Sequence, residues 1–293
     1  LPPSTPVSVT YVDEGGMMAT GTQYSKEAHD ISDKGHSSRE LSGVCRQLET
    51  NRSVTSLVWS GNVLGDEGCV ALGKALTVND SITKLDLRNN EVGRQGCEAI
   101  AESLKNAKFC TVRELVLEGN PIGDDGLAAI VHALYKTKVG LKMGMKRGID
   151  ENGERHDALS LQAFTAFVQV PSVLTYLNIS NCVMGPLAVE AVSNLIRSSM
   201  SLTHLSMGWN ALHDESAAAI SGPLAANHVL HCLDLTGNCL TDACIKPLTQ
   251  ATTQNRTTLQ LLLTGNQLTE PGMQEVDNAM LANQKRRYNA GVI

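Results

Sequence analysis

The spelling Leu-x-Leu-x-x-Asn, read at Leu85, Leu87 and Asn90, returns along the chain at nearly constant intervals. It recurs as Leu57/Trp59/Asn62, Leu115/Leu117/Asn120, Leu177/Ile179/Cys182, Leu205/Met207/Asn210, Leu233/Leu235/Asn238 and Leu261/Leu263/Asn266. From Asn62 onward the anchors step by 28, 30, 62, 28, 28 and 28 residues. A fixed period in this range identifies a repeat architecture, and no other feature of the chain limits the fold so tightly. The double step of 62 predicts one degenerate unit between Asn120 and Cys182, with Leu141-Lys142-Met143-Gly144-Met145 as its degraded strand.

Positions two, seven, ten and fourteen after each anchor are almost all apolar, as Val92, Cys97, Ile100 and Leu104 are behind Asn90. The last three share one face of a helix. Leu-x-Leu alternation is a short half-buried strand. Each unit therefore reads strand, turn, amphipathic helix, return. One such unit cannot bury its apolar face alone, so neighbours stack. Parallel strands stack about 4.8 Å apart, whereas helices need about 8–10 Å. The stack must curve, strands inside and helices outside. The anchor Asn has both donors and acceptors for the backbone groups of the turn. A thiol does this weakly, so a less regular turn is expected at Cys182.

This pattern resembles the leucine-rich repeat family, and within it the ribonuclease-inhibitor-like subfamily. The resemblance implies an α/β fold: a right-handed β-α horseshoe with parallel strands on the concave face and helices on the convex face. It covers residues 54–283, read as about eight units with an irregular one at 139–170. It implies no single function, because function resides in sites grafted on such folds.

The flanking segments read differently. Residues 1–24 are rich in Pro, Ser, Thr and Gly and predict an extended arm. Residues 25–53 predict an N-terminal cap. Its helix opens on Ser37-Ser38-Arg39-Glu40, which has capping-box spacing, and carries Leu41, Val44 and Leu48 as its stripe. Residues 284–293 form a C-terminal tail.

Composition narrows the partner. A net charge of −6 argues against nucleic acid as the main ligand and against an anionic membrane surface. No apolar run reaches the roughly 18–20 residues of a membrane span. The eight cysteines form no spaced framework and read as reduced thiols, Cys69 and Cys97 within the core column. These features predict a cytoplasmic protein, with cytoskeletal or nuclear placement also compatible.

No catalytic constellation is present in the sequence. His228, His231, Cys232, Cys239 and Cys244 fit no zinc spacing, and Gly140-x-x-x-Gly144-x-Lys146 is not a phosphate loop. The expectation is a non-enzyme without metal, cofactor or small-molecule substrate. What the pattern supplies is a surface. Residues beside the two strand leucines point to the inner face, giving Lys84, Asp86, Arg88, Glu114, Glu118, Tyr176 and His204 as partner-binding candidates. Those five charges could equally satisfy one another. Trp209 stands before Asn210, where most other units carry Gly, and is a candidate rim anchor; packing against the neighbouring turn is the alternative. Trp59, at a strand core position, reads as packing. The charged loop of the irregular unit, with Lys146, Arg147, Asp150, Glu151 and Arg155, is a further candidate because it departs from a regular array. The sequence thus predicts a scaffold that holds protein partners, as a subunit of a larger assembly. Similarity to the Ran GTPase-activating proteins, which share the repeat type, suggests the alternative of a GTPase activator.

Overall fold

Each Leu-x-Leu spelling is a three-residue strand in the computed structural model, which describes residues 7–12, 18–23, 28–107, 111–143, 174–257 and 259–289. Eight strands form one parallel sheet in chain order. They are β3 (Ala28–Asp30), β4 (Ser56–Val58), β5 (Lys84–Asp86), β6 (Glu114–Val116), β7 (Tyr176–Asn178), β8 (His204–Ser206), β9 (Cys232–Asp234) and β10 (Gln260–Leu262). Pairing is in register throughout, so Leu57, Leu85, Leu115, Leu177, Leu205, Leu233 and Leu261 stand side by side. The first six of these are fully buried.

A helix follows each strand: α1 (Ser38–Leu48), α2 (Gly65–Val78), α3 (Arg94–Asn106), α4 (Gly123–Met143), α5 (Pro186–Ser198), α6 (Asp214–Ala226), α7 (Ile245–Gln254) and α8 (Glu270–Asn289). Successive helices pack on one another as successive strands pair, and the apolar columns between the two layers make one continuous core. This is an α/β solenoid. Ahead of it, β1 (Val7–Val12) and β2 (Met18–Gln23) of the arm pair antiparallel.

Two sequence expectations change. First, β6 pairs directly with β7, Glu114 opposite Tyr176 and Leu115 opposite Leu177. Leu141, Lys142 and Met143 lie inside the 21-residue α4. Leu141–Met143 is therefore helix and not strand, and no strand stands between β6 and β7 in the sheet; the rest of the irregular unit, 144–170, lies outside the described residues. The ambiguity was physical: Leu-x-Met matches both an alternating strand and a helix continuing from α4. Second, the eighth strand sits at the other end. His29, Ile31 and Lys34 stand 28 residues before Leu57, Trp59 and Asn62, and β3 pairs with β4 in the common register. Leu41, Val44 and Leu48 then fall seven, ten and fourteen after Lys34, so the cap is itself a repeat unit. Its helix starts as expected: the Glu40 carboxylate accepts from the Ser37 amide at 2.8 Å and from its hydroxyl at 2.7 Å.

Three side-chain ladders tie neighbouring units together. The anchor amides form the first. Asn120 Nδ2 donates to Leu87 O at 2.8 Å and Leu117 O at 2.7 Å, while its Oδ1 accepts from Asn90 N at 2.9 Å and Val92 N at 3.0 Å. Asn210 and Asn238 repeat both halves of the pattern. Asn90 departs from it, since its Oδ1 is buried without a partner. Carboxylates four residues past an anchor form the second ladder. Asp66 accepts from Gly93 N and Gly96 N, and Asp124 accepts from Gly185 N and Ala188 N. Each thus caps the helix of the following unit rather than its own. The third ladder, seventeen past the anchor, escaped the sequence reading. Asn79, Asn227, Asn255 and Asn283 each donate to carbonyls closing the preceding helix, as Asn79 does to Leu48 O at 2.7 Å. These are the orphan groups of helix C-termini.

At Cys182 the expectation of an irregular turn is corrected. The thiol donates to Leu117 O and Ser180 O, both at 3.2 Å, so it takes the donor half of the Asn role. Asn181 and Val183 around it keep the left-handed conformation found at Trp209 and Ala211. The missing acceptor is felt one unit earlier, where Ile122 N turns to Asn120 O at 2.8 Å.

Candidate functional site

The inner face is built from the residues that flank the buried leucine of each three-residue strand. In the first half of the sheet those residues are charged, and the register brings them together in pairs. Lys84 on β5 lies opposite Glu114 on β6, with Nζ 3.0 Å from Oε2. Arg88 folds back on Asp86, with Nε 2.9 Å from Oδ1 and Nη2 2.6 Å from Oδ2. Asp86 is buried and Arg88 half-exposed. The two-point hydrogen bond from Arg88 raises the guanidinium pKa. Glu118 accepts from Asn178 Nδ2 at 3.0 Å. The five charged candidates therefore satisfy one another or a neighbour.

The second half of the face is polar and aromatic. Tyr176 and His204 are register partners on β7 and β8. Their rings lie 6.1 Å apart at an interplanar angle of 32°, and His204 is exposed. Asp234 follows on β9. It belongs to a recurring device: Asp30, Asn178 and Asp234 each accept from the amide two residues on, Ser32 N at 3.0 Å, Ser180 N at 2.9 Å and Thr236 N at 2.9 Å.

Trp209 stands apart, on the rim where the chain leaves β8 for α6. Its backbone is left-handed, φ 57°, and 62% of the residue is exposed. The indole lies on the next turn, where a Cβ at Gly237 would collide with its ring. Packing and display are thus both true of Trp209. In the preceding unit, Val183 has φ 61° and is 68% exposed, and Leu187 at the start of α5 is 53% exposed. A β-branched residue with positive φ is a genuine outlier. Val183 and Asp234 were not singled out from the sequence. Val183 carries no composition signal, and Asp234 stands in a part of the inner face that otherwise reads as neutral and polar.

The loop candidates Lys146, Arg147, Asp150, Glu151 and Arg155 lie outside the described residues. Trp59 is fully buried and its Nε1 donates to His29 Nδ1 at 3.0 Å. Burial lowers the His29 pKa, against a smaller opposing pull from Asp30. Among the described residues no three His, Cys, Asp or Glu side chains converge as a metal site. Nor is any described helix long and apolar enough to cross a membrane.

Five segments, residues 50–73, 78–101, 110–131, 198–221 and 226–248, match the family model described as Leucine Rich repeat. No curated protein matches the chain. Among solved structures, an internalin (inlF) from Listeria monocytogenes is 18% identical over 85% of this chain and 64% of its own, with a TM-score of 0.40. TLR13, solved in complex with single-stranded RNA, is 16% identical over 86% of this chain and 31% of its own, with a TM-score of 0.41. A protein from Bacteroides fragilis is 13% identical over 81% of this chain and 64% of its own, with a TM-score of 0.39. The chain spans less than two thirds of the length of each.

Proposed function

We propose that this α/β solenoid, five segments of which match the leucine-rich repeat model, is a non-enzymatic protein-binding scaffold. It engages a protein partner across the concave face and the rim beyond β7–β9, as a subunit of a larger assembly in the cytoplasm. The observation that carries this is the contrast between the two halves of the inner face. Charges in the first half are paired within the chain, while Tyr176, His204 and Trp209 in the second half are held in place with ring surface left open. Preorganised aromatic surface is what interfaces use as anchors. The 28-residue step and the full helix per unit support a place in the ribonuclease-inhibitor-like subfamily. The net charge of −6 supports protein over nucleic acid as the ligand.

A pull-down of the assembly with the intact chain tests this reading. Tyr176→Ala with Trp209→Asn should release the partner, and Lys84→Ala should not. A partner retained on the aromatic double variant would overturn it. The alternative of a GTPase activator gains no support from the geometry, since Arg88 is bound by Asp86 rather than extended for a phosphate. Stimulated GTP hydrolysis by a small GTPase at micromolar chain would reinstate it.

A further inference from the structure

Two features of the β7–β9 corner are not required by the fold. The first is Trp209. Every unit needs a left-handed residue just before its anchor, and the array fills that position cheaply elsewhere. Asp33 (φ 55°) lies on Gly61, Asn89 (φ 51°) lies on Gly119, and Asn181 (φ 50°) takes the position in the preceding unit. Asn and Asp tolerate this conformation because their short polar side chains bond locally. Trp has no such advantage, so the turn does not explain it. Beyond it the rim is bare, Gly237 followed by Gly265 at van der Waals distance. The indole therefore rests on a glycine shelf with its other face open. In the preceding unit Val183 and Leu187 are exposed as well, Val183 two residues past Asn181, the residue that answers to Trp209.

The second feature is charge. The inner-face columns of the eight units carry Asp30, Asp86, Glu114, Glu118 and Asp234 against Lys84 and Arg88. Both cations are committed to Glu114 and Asp86. Asp234 is engaged by the Thr236 amide, and among the described residues no salt bridge reaches it. It sits on the strand next to that of Trp209: Met207 N bonds Asp234 O at 2.8 Å, and Trp209 N bonds Thr236 O at 2.8 Å. The exposed indole and the carboxylate without a cation thus belong to adjacent units, Trp209 standing three residues past the register partner of Asp234.

We propose that this corner receives an extended peptide segment carrying an arginine or lysine beside an apolar residue. The cation stacks on the open face of Trp209 and faces the Asp234 carboxylate, and the apolar residue lies on Val183 and Leu187. A cation over Trp is the strongest of the side-chain cation–π pairs, and the surplus of inner-face carboxylates steers a basic segment toward the concavity. This inference rests on the reading of the chain as a protein-binding scaffold and adds the chemistry of what it holds.

Panning a phage-displayed random dodecapeptide library on the intact chain tests it. The two diagnostic variants are chosen so that the turn survives. Trp209→Asn installs the residue that Asn89 and Asn181 already place there, and Asp234→Asn installs the residue that Asn178 uses for the same backbone bond. We expect enriched peptides to carry Arg or Lys next to an apolar residue, and synthetic copies to lose tenfold or more in affinity on either variant. Exchange of their arginine for citrulline should produce the same loss. Trp209 fluorescence should report the docking, because the other tryptophan, Trp59, is fully buried. Enriched peptides without a cation, or cationic peptides that bind both variants unchanged, overturn the proposal. If such peptides still depend on Tyr176 or His204, the scaffold reading survives that failure. If no peptide is enriched, the peptide inference falls, and the pull-down alone decides the wider reading.

Discussion

The smallest unit of the account is the anchor side chain, where one amide serves two turns. Asn120→Ala would leave the Leu87 carbonyl and the Asn90 and Val92 amides without their partners in a site that is 1% exposed, while the Leu117 carbonyl keeps the Cys182 thiol. Unsatisfied buried groups cost about 1–3 kcal/mol each, less whatever relaxation recovers, so we expect a loss of about 3 kcal/mol or more in urea denaturation. Cys182→Asn should act in the opposite sense. It supplies the acceptor that the preceding turn lacks and should stabilise by about 1 kcal/mol; a lower urea midpoint would contradict the ladder argument. His29 makes a pH prediction. Its pKa is depressed by burial, so the unfolded chain binds the extra proton first. Stability is complete above the unfolded value near 6.5 and falls as pH drops toward the folded pKa. Protonation also removes the acceptor for Trp59 Nε1. Protection factors of the β3 and β4 amides should fall below about pH 6.5, and His29→Phe should abolish that dependence. Among the described cysteines, burial raises the Cys45 and Cys182 thiols to about 12 and Cys244 to about 11.

At the scale of elements, the strand and helix of each unit were legible because apolar period and anchor spacing agree with each other. The cap was legible as a helix but not as a repeat. Its strand reads Ala28-His29-Asp30-Ile31, and a buried His in the leucine column conceals the pattern until Trp59 is seen to bond it. The converse holds at the end of α4, where the last helical residues imitate a strand. The candidate site was legible in its residues but not in its balance. The sequence placed Lys84, Glu114, Asp86 and Arg88 on one face, and only side-chain geometry shows them paired. The glycine shelf makes an element-level prediction. Gly237 has φ 68° and no room for a Cβ beneath Trp209. Gly237→Ala should cost about 1–2 kcal/mol from the backbone alone and should make Trp209 more accessible to a fluorescence quencher. In a double-mutant cycle with Trp209→Gly, part of the cost should disappear; strict additivity would mean the two residues do not touch.

For the whole molecule, the claim is that a curved array presents one working surface, the strands and their rim, while the helices serve the core and the spacing. The carboxylate surplus on that surface predicts that partner affinity weakens as salt is raised from 50 to 500 mM, read by titration calorimetry. The most direct test is position-resolved. A photo-crosslinking amino acid is placed at His204 or Thr236 on the inner face, and at Val70 or Ala218 on the helices, and the native assembly is irradiated. The account predicts that one partner protein is captured from both inner positions and from neither helical one. Capture of that partner from Val70 or Ala218, with none from His204 and Thr236, would contradict it.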